Sequence, residues 1–193
     1  MKAVDHLREG YREIDTVDLK KNKALAVFVN VLAAVIAVAM VIPMHFIVPI
    51  DSLFSMEEGM QAYMFRFVGL LVLLILYMVL HELVHGIAMK LCGTKKVKYG
   101  VTGVYAYATS DDCYDKKTYI FIALAPVVLW GIVLAFVNMF VSLEWFWVVY
   151  LIQISNLSGA AGDLYVTVKF SRLPSDILIQ DYGVGMTVFS KHH

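Results

Sequence analysis

The chain has 193 residues, 60% of them hydrophobic and 17% charged, with a mean hydropathy of +0.72, whereas soluble domains average about 45–50% apolar and about 25% charged. Sixteen Lys and Arg balance sixteen Asp and Glu, so no net field recruits a polyanion, and disorder, a collagen-like chain and a basic nucleic-acid-binding domain are excluded. One domain fits the length, and the composition places it in a bilayer.

Residues 1–23 are densely charged, and the apolar run after them is longer than the h-region of a signal peptide, about 7–15 residues. A retained helix is expected there, bent or ended by Pro43 and Pro49. No Asp, Glu, Lys or Arg occurs from Ala24 to Ile50, Phe67 to Leu80, Thr118 to Leu143 or Trp145 to Gly162. A spanning helix needs roughly 20 apolar residues. The gaps therefore predict spans over about 24–50, 63–91, 118–143 and 145–168, the second running through His81 and the fourth enclosing Asp163. Between spans two and three, residues 96–107 are rich in Val and Tyr around Gly100 and Gly103, which predicts a short β-hairpin. From Pro174 onward, Ile177, Ile179 and Met186 to Phe189 predict a second small extended element. The expected fold is an all-α integral membrane protein: one membrane-embedded domain over 1–193, with about four transmembrane helices, one short cytoplasmic hairpin and a cytoplasmic tail over 169–193.

Orientation follows from the Lys/Arg bias. Lys20, Lys21 and Lys23 precede the first span, and Lys90, Lys95, Lys96, Lys98, Lys116 and Lys117 follow the second. The loop between them carries Asp51, Glu57 and Glu58, with no Lys or Arg before Arg66. Both termini and the 91–117 segment are therefore expected in the cytoplasm of a multi-pass cell-membrane protein. On that reducing side Cys92 and Cys113 are not expected to form a disulfide.

Chemistry is concentrated at His81-Glu82-Leu83-Val84-His85, an H-E-x-x-H motif on an expected helix. Residues four apart share a helical face, so both imidazoles reach one Zn²⁺. Glu82, beside the first ligand, is placed to act as general base on a metal-activated water. The plainer reading, polar residues at a helix end near the interface, leaves three ionisable residues in five positions of an apolar run poorly explained. A catalytic zinc usually takes three protein ligands and a water. Asp163 is the one acidic residue inside another span; it lies 19 residues beyond Glu144, and His81 lies 23 beyond Glu58. At about 1.5 Å per residue the two depths differ by some 6 Å, so Asp163 is the candidate third ligand. Gly159 and Gly162 allow close helix packing. Asn156, seven residues before Asp163, is a candidate for substrate binding or oxyanion stabilisation, or simply an interhelical hydrogen bond. His45, between Pro43 and Pro49, reads as interfacial packing. His192 and His193 read as affinity-tag remnants and carry no role here.

These residues carry a resemblance. His81 to Gly86, Ala125-Pro126, Asn156 and Gly162-Asp163 resemble the zincin peptidase family of small bacterial multi-pass membrane proteins, over about residue 60 to the C-terminus. They also resemble a minimal site-2 protease core. The resemblance implies zinc on His81, His85 and Asp163, with Glu82 catalytic. Site-2 proteases usually hold the aspartate in Leu-Asp-Gly near an Asn-Pro, whereas here it stands in Gly162-Asp163-Leu164. The expected function is a membrane-embedded or intramembrane zinc metallopeptidase. Its partners are membrane lipid and a membrane-anchored or unfolded polypeptide, with no nucleic acid. The alternative is a non-catalytic membrane protein with a structural or sensory zinc site.

Overall fold

The structure is a computed structural model that describes residues 3–4, 7, 9–102, 105–183 and 185–191. Gly103 and Val104 of the expected hairpin, and His192 and His193, lie outside the described residues. In chain order the elements are β1 (Ala3–Val4), β2 (Arg12–Asp18), α1 (Lys23–Ile47), a 3-10 turn (Ile50–Phe54), α2 (Met60–Leu91), β3 (Lys98–Thr102), β4 (Tyr105–Thr109), β5 (Cys113–Asp115), α3 (Lys116–Asn138), α4 (Leu143–Gly159), α5 (Ala161–Ser171), β6 (Leu178–Asp181) and β7 (Gly185–Ser190).

The all-α expectation is overturned. Seven strands among the described residues form a five-stranded antiparallel sheet in the order β1-β5-β6-β7-β2 and a separate β3–β4 pair, so the fold is mixed α/β. Strands β1 and β2 come from the charged N-terminal stretch, where a search for charge-free runs finds nothing. Their partners are far along the chain: Val17 pairs with Met186 and Ala3 with Tyr114. Pairing at such separation leaves no local periodicity beyond a few alternating residues. The fourth expected span is also not one helix. It breaks at Ala160, where φ is −83° and ψ 17°, inside Ser158-Gly159-Ala160-Ala161-Gly162, two of whose five residues are poor helix formers. Three helices remain long and apolar enough to cross a membrane: α1, α2 and α3.

The chain forms two compact units. One comprises the described residues of Met1–Val29, His81–Pro126 and Gly162–His193, and the other Asn30–Leu80 and Val127–Ala161. In the first, the five-stranded sheet supplies Val17, Tyr114, Ile179 and Val188 to a core completed by Ala88 and Met89 of α2, Tyr119 and Ile122 of α3, and Val166 and Phe170 of α5. Side-chain caps fix the helix ends there. Asp115 Oδ1 accepts the Thr118 amide at the start of α3, and Lys116 Nζ donates to the Ser171 and Leu173 carbonyls at the end of α5. The second unit has a smaller core of Leu70, Tyr77, Val148 and Ile152, flanked by Trp130 and Trp145. Trp147 is fully buried, and its indole donates to the Val48 and Pro49 carbonyls.

Candidate metal centre

Helix α2 presents His81 and His85 one turn apart, and their rings meet at 4.9 Å between centroids with an interplanar angle of 75°. The third group comes from α5. Its first turn carries Asp163, a position where the helix dipole favours a carboxylate. Asp163 Oδ2 lies 3.7 Å from Nε2 of His81 and 3.7 Å from Nε2 of His85. All three ligand atoms fall within 4.8 Å of one another. Tetrahedral zinc with bonds of about 2.0–2.2 Å holds its donors roughly 3.3–3.6 Å apart, so closing on an ion requires only a small adjustment. The donor chemistry fits as well, since two imidazoles and one carboxylate form a common catalytic zinc set.

Second contacts orient the ligands. His85 is 8% exposed, and its Nδ1–H donates to the Ile122 carbonyl at 2.9 Å. That bond leaves the lone pair on Nε2, the nitrogen that faces Asp163. The Ala108 backbone of β4 lies near the Glu82 carboxylate. Gly86 follows the motif because Tyr99 of β3 packs onto α2 there, and a Cβ at Gly86 would collide with its phenol. Access is uneven: the two histidine side chains are 12% and 11% exposed, while Asp163 is 29% exposed.

Of the residues singled out in the sequence, His81, Glu82, His85 and Asp163 belong to one unit. Asn156 belongs to the other. It is fully buried, its Oδ1 accepts the Tyr77 hydroxyl at 2.8 Å, and its Nδ2 donates to the Val127 carbonyl at 3.0 Å. Seven residues place two side chains on one face only within a continuous helix, and the break at Ala160 removes that condition. His45 accepts the Ile50 amide on Nδ1 and packs edge-on against Phe46. Cys92 and Cys113 are buried free thiols.

Sequence reasoning missed a half-buried carboxylate on β6, Asp181. Asp181 of β6 accepts the Tyr119 hydroxyl at 2.8 Å and the Gly183 amide at 2.7 Å. Desolvation pushes its pKa above the usual carboxylate range, against the lowering effect of those two donors. An isolated Asp before a glycine turn carries no signal for this in the sequence, since any surface turn looks alike.

No solved structure matches the chain significantly. Over 118 residues it is 32% identical to a protein of Pyrococcus woesei described as "Uncharacterized 24.7 kDa protein in gap 5'region". That match covers 58% of this chain and 51% of the relative, so the chain spans about half the length of the curated relative it matches. Residues 74–178, more than half of the chain and including the H-E-x-x-H motif and Asp163, match the model of the family described as "Putative zincin peptidase". The chain belongs to that zincin peptidase family.

Proposed function

We propose that the protein is a membrane-embedded zinc metallopeptidase that hydrolyses peptide bonds with Glu82 as general base. One observation carries this reading: the Nε2 atoms of His81 and His85 converge with Asp163 Oδ2 at 3.7 Å, beside a glutamate one residue after the first ligand. His81, His85 and Asp163 hold the ion. When bound, zinc supplies a Lewis acid that polarises the scissile carbonyl and activates water at neutral pH. Glu82 takes a proton from the attacking water and passes it to the leaving amine. The β3–β4 pair lies near the catalytic carboxylate through Ala108, and an extended substrate segment pairs along β4 by strand addition.

Three protein ligands favour catalysis over a structural or sensory role, because structural zinc sites close with four. The bilayer reading is supported by α1, α2 and α3, each long and apolar enough to cross. Helix α1 has no buried residue, and Val31, Val35 and Ile42 are each more than half exposed, a surface that water does not favour. The Lys-rich 91–117 segment supports a cytoplasmic side for itself and, two crossings earlier in the chain, for the N-terminus. A membrane-anchored or unfolded polypeptide is then the substrate class.

The test is a pair of measurements on purified protein, zinc content and cleavage of a membrane-anchored reporter. Wild type contains zinc and cleaves; Glu82→Gln keeps the zinc and does not cleave. Cleavage by Glu82→Gln at the wild-type rate would overturn the proposal. Impermeant labelling of a cysteine introduced near Gly59, on intact cells, tests the orientation: labelling is expected there and protection at Lys95.

A further inference from the structure

Helix α3 has a proline in its interior, Pro126. Such a proline removes the amide that would bond the carbonyl four residues earlier, and its ring crowds that carbonyl away from the helix axis. Here the carbonyl in question is that of Ile122. It is the group that accepts His85 Nδ1–H at 2.9 Å. Both residues are buried, with Ile122 2% and His85 8% exposed. Elsewhere in α3 the Val127 and Gly131 carbonyls take bonds from Asn156 and Gln153 at 3.0 and 3.3 Å, and a helical amide stands four residues beyond each. At Ile122 that competing donor does not exist. An imidazole held through Nδ1–H keeps its Nε2 lone pair for a metal.

We propose that Pro126 is a positioning residue of the metal centre: by withholding its amide, it leaves the Ile122 carbonyl to hold the His85 ring with Nε2 turned toward Asp163. The inference rests on the zinc reading above. It gives the proline inside α3 a role at the metal centre.

The experiment uses the full chain and zinc alone, with affinity measured against a competing chelator. Pro126→Ala restores an amide and suits a helix, so the variant folds. Its zinc affinity should fall about 10–100-fold, the usual cost of losing an outer-shell partner of a ligand. A backbone ester at position 126, made with the hydroxy-acid analogue of alanine, has neither the ring nor the N–H and should regain affinity near that of wild type. In metal-free protein, nitrogen NMR of His85 should report the Nδ1–H tautomer in the wild-type and ester proteins and a weakened preference in Pro126→Ala. Equal zinc affinity in wild type and Pro126→Ala would overturn the proposal. So would an ester variant as weak as Pro126→Ala, since the ring and not the missing donor would then be responsible. If wild type binds no zinc, the metal-centre reading falls, and the His85 tautomer in the metal-free proteins still decides the role of Pro126.

Discussion

The two units differ most in what they expose. In the unit built on the five-stranded sheet, Tyr114, Phe170, Ile179 and Val188 are fully buried, and the polar groups around the metal centre are matched to named partners. In the other, large apolar residues face outward: Ile75 is 63% exposed, Ile132 66% and Val35 57%. Inside its apolar core it also buries Asn156 and an Arg66 that is 2% exposed and bonded to Glu58 and the Ser55 carbonyl. Water as solvent explains the first arrangement. The second is what the proposed bilayer location would produce, because in hydrocarbon an unpaired polar group costs several kcal/mol and apolar surface costs nothing. The chemistry thus resides in the unit whose packing is ordinary, and the helical unit supplies the apolar surface.

That division is sharpest where substitutions separate the metal from the fold. The largest effect should come from Glu82→Gln, which lowers cleavage by about 100- to 10,000-fold, the usual contribution of a general base, while zinc content stays at the wild-type level. Asp163→Asn should reduce cleavage and zinc occupancy together, because it removes one of three converging ligand atoms. Metal analysis of the two purified variants decides between them. Zinc retained in full by Asp163→Asn would remove Asp163 from the ligand set.

Substitutions in the two cores should separate the units next. Ile179→Ala, in the middle of the large sheet, removes a fully buried side chain and should cost about 2–5 kcal/mol. Because β6 also carries Asp181 beside the metal centre, zinc should be released at a lower temperature. Asn156→Ala deletes the partner of Tyr77 and of the Val127 carbonyl in the helical unit and should cost about 1–3 kcal/mol for stranding a buried polar group. Its zinc affinity should match that of wild type. A change in zinc affinity as large as that of Asp163→Asn would give Asn156 a part in the metal chemistry after all.

How much of this was legible beforehand differs between the same two units. Charge-free runs announce α1, α2 and α3 because a long apolar helix writes its length directly into the sequence. The H-E-x-x-H pair is legible for a similar reason, since its spacing is the helical repeat itself. Asp163 could be named because a lone carboxylate in an apolar stretch needs a partner, although the helix carrying it starts afresh at Ala161. The sheet was legible only in part: the run after Pro174 announced β6 and β7, while β1, β2 and β5 went unseen. Strand β2 spells Arg-Glu-Ile-Asp-Thr-Val-Asp, and only its last two residues, Val17 and Asp18, are buried, so its one-sided alternation disappears among charges. The Ile122 carbonyl was invisible for a more basic reason: backbone acceptors are the same at every residue, and only geometry tells which one is used.

The smallest predicted effect concerns pH and Asp181, and its sign is the informative part. The fold raises the Asp181 pKa through desolvation, so the folded state favours the protonated carboxyl more than the unfolded chain does. A group raised in this way contributes stability that is fully present below the unfolded value, about 3.9 for Asp, and is lost as pH rises through the folded value. The stability of wild type minus that of Asp181→Asn should therefore fall as pH climbs from below about 3.9 and level off once the folded carboxyl has ionised. Denaturant unfolding of both metal-free proteins across that range measures the difference. A rising difference would mean that the Tyr119 hydroxyl and the Gly183 amide, at 2.8 and 2.7 Å, stabilise the carboxylate by more than burial penalises it. Asp181 would then be a charged group held by its donors on β6, in the same unit as the metal ligands.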